Sequence, residues 1–179
     1  MGWTYKLHGG VAAGLGAALM AMAALSWVPG TLQLFEPQWP MVAGVALALL
    51  AMVSALVRLA LAGAADKHVL WQAFRCLTGR AQAGLAALAV AGVAILVFDG
   101  PGGVRDTEMR DGRYLAYDSQ VHRVVEVSKS EYQALLPGSR RTFLAIPGVL
   151  LVGASCMVLA AGEVRRADRG QTGAGNRHR

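Results

Sequence analysis

The sequence predicts an all-α membrane protein: four transmembrane helices, with a small extracytoplasmic β-hairpin plus short helix inserted between spans three and four. Three observations carry this. Residues 9–28, 41–57, 81–98 and 142–162 hold no Asp, Glu, Lys or Arg, in a chain of 179 residues that is 16% charged and 55% apolar. Trp3, Trp27, Trp39 and Trp71 each fall at the end of a long apolar run. Indole joins an apolar ring to one N–H donor, so it settles where hydrocarbon meets headgroups. Residues 99–141, by contrast, are charged and rich in Tyr and Val.

An α-helix rises 1.5 Å per residue, so a hydrocarbon core of ~30 Å needs about 20 residues. The predicted spans are 9–28, 41–61, 81–98 and 142–162. The second includes Arg58, which reaches the surface from the last turn. The first run also reads as a signal peptide, with Lys6, His8, an apolar stretch and Ala21-Met22-Ala23. Its continuation to Trp27-Val28-Pro29 favours a span. Lys6 stands where a myristoylation signal needs Ser or Thr.

Within the first span, Gly10 and Gly14 form a G-x-x-x-G match that Ala18 extends by one turn. Small residues at this spacing let helix backbones approach closely, either inside the bundle or across a dimer face. Pro29-Gly30 ends the helix, and the loop 31–40 is expected to lie against the outer headgroups. In 64–80, Leu70, Phe74 and Leu77 fall at i, i+4 and i+7 with Trp71 beside them. This predicts an amphipathic helix in the interface, N-capped by Asp66 and stopped at Thr78-Gly79.

The domain plan is a transmembrane bundle (1–98 and 142–163), an extracytoplasmic insert (99–141) and a disordered basic tail (164–179). In the insert, 99–103 is a glycine-rich turn and 105–113 a mixed-charge stretch without apolar period. Residues 113–118 and 121–127 read as a hairpin through Asp118-Ser119-Gln120, with Val121, Val125, Val127 and Arg123 on one face. Ser128 and Glu131 match a capping box opening a short helix with Tyr132, Leu135 and Leu136, ended by Pro137-Gly138. Such a unit buries too little apolar surface to stand alone, so it must pack on the bundle, a second copy or a partner. Tyr114, Tyr117, Tyr132 and Leu135 supply either that contact surface or the unit's own core.

Ten basic residues lie on the side of the N-terminus, the 62–80 connection and the tail, and seven on the other, accounting for all 17. Lys and Arg resist translocation, so both termini are predicted to be cytoplasmic in a bacterial cytoplasmic membrane. Arg140 and Arg141 beside the fourth span oppose this. The net charge of +6 and pI near 9.9 read as basic residues at an anionic leaflet, with no nucleic-acid partner.

No catalytic, metal or cofactor motif stands out. Ser26, Ser54, Ser155 and Cys156 are the polar exceptions within the spans, and a hydroxyl there most often bonds its own helix's carbonyls. Cys76 and Cys156 lack metal-ligand spacing. His8 and His68 share one predicted surface, where a peripheral site is conceivable. Asp118, Ser119 and His122 contain the residue types of a hydrolytic triad in turn positions. Asp106, Glu108 and Asp111 contain cation ligands, but Arg105, Arg110 and Arg113 compete for them. Gly100-Pro-Gly-Gly103 lacks the ending of a phosphate-binding loop.

The stretch Gly112-Arg-Tyr-Leu, with Val124-Val-Glu-Val-Ser-Lys-Ser-Glu-Tyr132, Leu135, a basic pair and a final apolar run, resembles small four-span integral membrane proteins of actinobacterial type. That resemblance covers about a third of the chain. It implies architecture and no activity. The function expected is a non-enzymatic accessory or scaffolding protein in the lipid bilayer, partnered by a larger membrane complex or by its own copies. The alternatives are a small oligomeric transporter or channel and a cofactor-binding redox protein.

Overall fold

The computed structural model describes residues 2–28, 39–64, 66–98, 104–118 and 121–175, with the side chains at 39, 40, 104–106 and 169–175 outside that set. The expected stop at Pro29-Gly30, most of the loop 31–40, the turn 99–103, Ser119 and the last four residues therefore lie outside the described residues. The described residues form five helices, α1 (Trp3–Leu25), α2 (Trp39–Leu61), α3 (Lys67–Arg75), α4 (Gly79–Val97) and α5 (Lys129–Gly175). Between α4 and α5 come three strands, β1 (Val104–Arg110), β2 (Arg113–Asp118) and β3 (Arg123–Glu126). Helices α1, α2, α4 and α5 are long and apolar enough to cross a membrane. The first two begin earlier than expected, which brings His8 inside α1.

Helix α5 is the axis of the molecule. Its most apolar window is 56% buried, against 17% in α4. Helices α1 to α4 all lie against it, and α1 also touches α2 and α4. Helix α1 runs antiparallel to α5, because Gly9 meets Leu159 and Gly16 meets Gly148. Helix α2 runs antiparallel to α1, since Gly44 meets Leu19 and Ser54 meets His8. The core is small and aliphatic: Ala12, Ala48 and Leu151 where α1, α2 and α5 meet, and Met20, Leu85, Ile95, Leu144 and Val152 where α1, α4 and α5 meet. A Cβ at Gly16 would stand 2.9 Å from the Gly148 carbonyl oxygen, so the α1–α5 approach is a backbone-to-backbone contact only glycine allows.

Two expectations about α5 are corrected. The short helix does not end at Pro137-Gly138; it runs on through Pro137 and Pro147 as one helix of 47 residues. At 1.5 Å per residue this is about 70 Å, more than twice a hydrocarbon core. A proline removes one N–H and crowds one carbonyl. That local cost is offset here because α5 has neighbours along its length, and Pro147 itself is fully buried. The tail expected to be disordered continues the helix to Gly175. Its first turn is covered, with Val164 and Leu70 of α3 packed against Leu59, Ala62, Val158 and Ala161.

The insert is a three-stranded antiparallel meander, in the order β1-β2-β3, not a two-stranded hairpin. Strand β1 occupies the mixed-charge stretch. It turns into β2 at Asp111 and Gly112, with φ of 51° and 76°. Left-handed backbone at both centres is what a two-residue hairpin turn requires, and Asp-Gly is a strong signal for it. Ala116 pairs with Val125, and Tyr117 with Val124. Tyr114, Ala116 and Val125 therefore share one face, and Tyr117 and Val124 the other. Tyr114 meets Tyr132 of α5 at 5.0 Å between ring centroids, which seats the first face on the helix. The capping box forms as expected: the Ser128 N–H donates to Glu131 Oε2 at 2.8 Å, and the Glu131 N–H donates to Ser128 Oγ at 3.2 Å.

Candidate functional site

The bundle's polar side chains cluster mainly towards its two ends, where helix termini leave carbonyls without an intrahelical partner. At one end α1 stops at Ser26, whose hydroxyl donates to the Ala23 carbonyl at 2.7 Å. Arg141 of α5, 8% exposed, donates from Nε to Ser26 Oγ at 3.0 Å and places its guanidinium 4.9 Å from the centre of the Trp27 ring. A buried cation needs hydrogen bonds to offset lost hydration, and the C-terminus of a helix favours positive charge.

At the other end, α1, α2 and α5 bring together Tyr5, His8, Ser54, Arg58 and Arg165. The Tyr5 ring is 6% exposed. Arg58 stands 4.9 Å from its centre and Arg165 5.8 Å. Arg165 also donates to the Leu61 carbonyl at 3.4 Å, at the end of α2. His8 Nε2 lies 3.2 Å from Ser54 Oγ, whose hydroxyl also donates to the Ala51 carbonyl at 3.0 Å. Between the two ends, the buried Ser155 hydroxyl donates to the Gly9 carbonyl at 2.7 Å. Ser26 and Ser54 thus bond within their own helices, as expected, whereas Ser155 bonds across to α1.

Helix α3 is held as predicted at its start, where Asp66 Oδ1 accepts from the His68 N–H at 2.6 Å. Its end is held by a residue the sequence reading passed over. Gln82 Nε2 lies within 2.8–3.1 Å of the Phe74, Arg75 and Leu77 carbonyls, closing α3 against α4. An amide in the first turn after a helix stop is the signal that finds it. Between α3 and the end of α5 opens a groove of about 480 Å³ lined in part by Val69, Ala73, Cys76, Glu163 and Arg166.

The residues singled out in sequence separate into different places. Gly10 and Gly14 face away from the bundle, with open space where a Cβ would stand; the packed glycines of α1 are Gly9 and Gly16. Tyr114 and Tyr132 meet with their rings tilted by 45°. Tyr117 is exposed on the far face, its hydroxyl 3.4 Å from His122 Nδ1. Leu135 is half-buried on α5. Trp3 and Trp27 are exposed at the two ends of α1, Trp71 is exposed in the middle of α3 and stacked on Phe74, and the Trp39 side chain lies outside the described residues. Arg58 covers Tyr5. Asp118 Oδ1 accepts from the Val121 N–H at 3.4 Å, a turn contact. Cys76 and Cys156 are free thiols, and among the described residues no three His, Cys, Asp or Glu converge as metal ligands.

Comparison with protein-family models, curated proteins and solved structures gives no match. The fold alone defines the class: a helical bundle wound on one long central helix, with four helices of membrane-crossing length and a small antiparallel sheet at one end.

Proposed function

We propose that the chain is a multi-pass protein of the bacterial cytoplasmic membrane, with both termini cytoplasmic, that serves as a non-enzymatic accessory or scaffolding subunit. The observation that carries this is what the helices present outward. Val42, Leu50, Val53 and Leu61 of α2 and Val90, Val93, Val97 and Phe98 at α4 are all exposed. In water, apolar patches beyond a few hundred Å² mark interaction surfaces or aggregation sites; in hydrocarbon such faces are at rest. The interior is filled by Leu144, Leu151, Val152 and Val158, which favours a structural role over a conduit through one chain.

Two outward features suit partner contact. The open Gly10–Gly14 stripe would let another helix approach α1 closely. The free face of the sheet carries Tyr117 and Val124, with Val121 beside them, all exposed and remote from α5. Gentle detergent extraction of the tagged protein, with identification of what co-purifies, tests the reading. Tyr117→Asp is expected to release a partner held by the sheet while the bundle stays folded, and wild-type protein isolated only as a lone monomer sinks the scaffolding idea. Topology is checked by cysteine labelling in a Cys-free background. Label at position 119 should react from outside intact cells, and label at position 172 only after lysis.

A further inference from the structure

We infer that Arg58 and Arg165, held against Tyr5, form a binding site for the phosphate of an anionic phospholipid. The inference rests on the membrane-spanning reading above. Two guanidiniums from different helices share one aromatic ring, at 4.9 and 5.8 Å from its centre. Like charges so placed repel each other, and among the described residues no carboxylate pairs with either. The acid nearest in sequence, Glu163, is engaged with Arg166 at 3.7 Å. The ring draws both cations by their attraction to its π face but supplies no negative charge. A phosphodiester does supply it, and guanidinium donors match phosphate oxygens in pairs.

The position suits a lipid. Arg58 sits in the last turn of α2, and Arg165 reaches the Leu61 carbonyl that ends it, so both stand where an apolar helix gives way to the polar boundary. Just inside that boundary the exposed Leu56 and Val57 of α2 offer an apolar wall for acyl chains. His8 and Ser54, bonded to each other one turn deeper, add polar groups below the two arginines. The other end of the bundle differs: Arg141 is buried and bonded to Ser26, and its guanidinium is enclosed by α1. A headgroup can reach the Tyr5 end and not the Arg141 end.

The test uses the full chain reconstituted in phosphatidylcholine vesicles that carry a minor fraction of spin-labelled phosphatidylglycerol or, in parallel, spin-labelled phosphatidylcholine. The wild-type protein should immobilise the anionic probe in preference to the zwitterionic one. A basic side chain near the surface strengthens anionic-lipid attraction about fivefold, so Arg58→Gln and Arg165→Gln should each lower the preference by about that factor, and the double variant should abolish it. Arg80→Gln removes an equal charge from the exposed start of α4, at the end of that helix adjoining α3, and should leave most of the preference intact. An equal loss in Arg80→Gln, or no loss in either arginine variant, overturns the site. If Arg58→Gln does not fold by circular dichroism, Arg165→Gln alone carries the test. Excess inorganic phosphate should leave the preference unchanged; its abolition would assign the site to a free anion and overturn the lipid. Protein that floats with pure phosphatidylcholine vesicles yet shows no preference refutes the lipid site alone, whereas protein that fails to float refutes the membrane-spanning reading itself.

Discussion

Helices α4 and α5 are both apolar and both long enough to cross a bilayer, yet α5 is enclosed by its neighbours and α4 is nearly bare. On the membrane-spanning reading proposed above, hydrophobicity does not separate them, because hydrocarbon would solvate an exposed valine as well as another helix does. What separates them is shape. Helix α5 offers Gly148, Val152 and Ser155 to the Gly9–Gly16 side of α1, where backbones touch and a hydroxyl crosses between helices. Helix α4 has one such place, at Gly92, where a Cβ would stand 2.5 Å from Val149 and 2.9 Å from Met20. In an apolar solvent, close approach and cross-helix hydrogen bonds decide which helix becomes the centre.

This contrast can be broken in graded steps, each read as thermal unfolding in detergent. The largest effect is expected from Gly16→Leu, which drives a side chain into the Gly148 carbonyl and Val152; a loss of about 3 kcal/mol is expected, whereas Gly10→Leu or Gly14→Leu, on the open side of the same helix, should change stability by less than about 0.5 kcal/mol. Equal effects at the two faces would mean that α1 does not pack as described. Arg141→Leu removes the cation bonded to Ser26 and stacked on Trp27, and should cost about 2 kcal/mol. Gly112→Val forces a β-branched residue to φ 76° in the β1–β2 turn; about 1–2 kcal/mol is expected, confined to the sheet and visible as faster amide exchange there while the bundle's exchange is unchanged. The smallest is Ser155→Ala, losing one cross-helix bond for about 0.6 kcal/mol. A Ser155→Ala cost as large as that of Gly16→Leu would make hydrogen bonding, not backbone approach, the organising force of the α1–α5 contact.

The two ends of the site were unequally legible. Arg58 was visible as a cation in a last turn, and Trp27 as an aromatic at a helix end. Tyr5 was not singled out, because nothing local shows that it sits beneath two arginines from helices more than fifty and more than a hundred residues away in sequence. The Gly10–Gly14 stripe shows a second limit, since the match allowed packing inside the bundle or a face for another helix and only the first is settled by where these glycines point. The pattern was real, but its neighbours Gly9 and Gly16 are the ones in contact, since a pattern match fixes a spacing and not the direction in which the face points. Strand β1 escaped notice because an edge strand with charged residues lacks an apolar alternation, although Asp111-Gly112 announced its turn.

The sequence by itself determined the four long apolar helices, the capped amphipathic helix after the second, the β2–β3 pairing and the Ser128–Glu131 cap. Each follows from local periodicity or from a side chain bonding its own backbone. Only the tertiary structure decided that α5 runs unbroken through two prolines and into the basic tail, that it forms the centre, and that two arginines close over Tyr5. Those outcomes depend on what lies alongside a residue, and a helix persists through an unfavourable position when contacts with its neighbours outweigh the local cost.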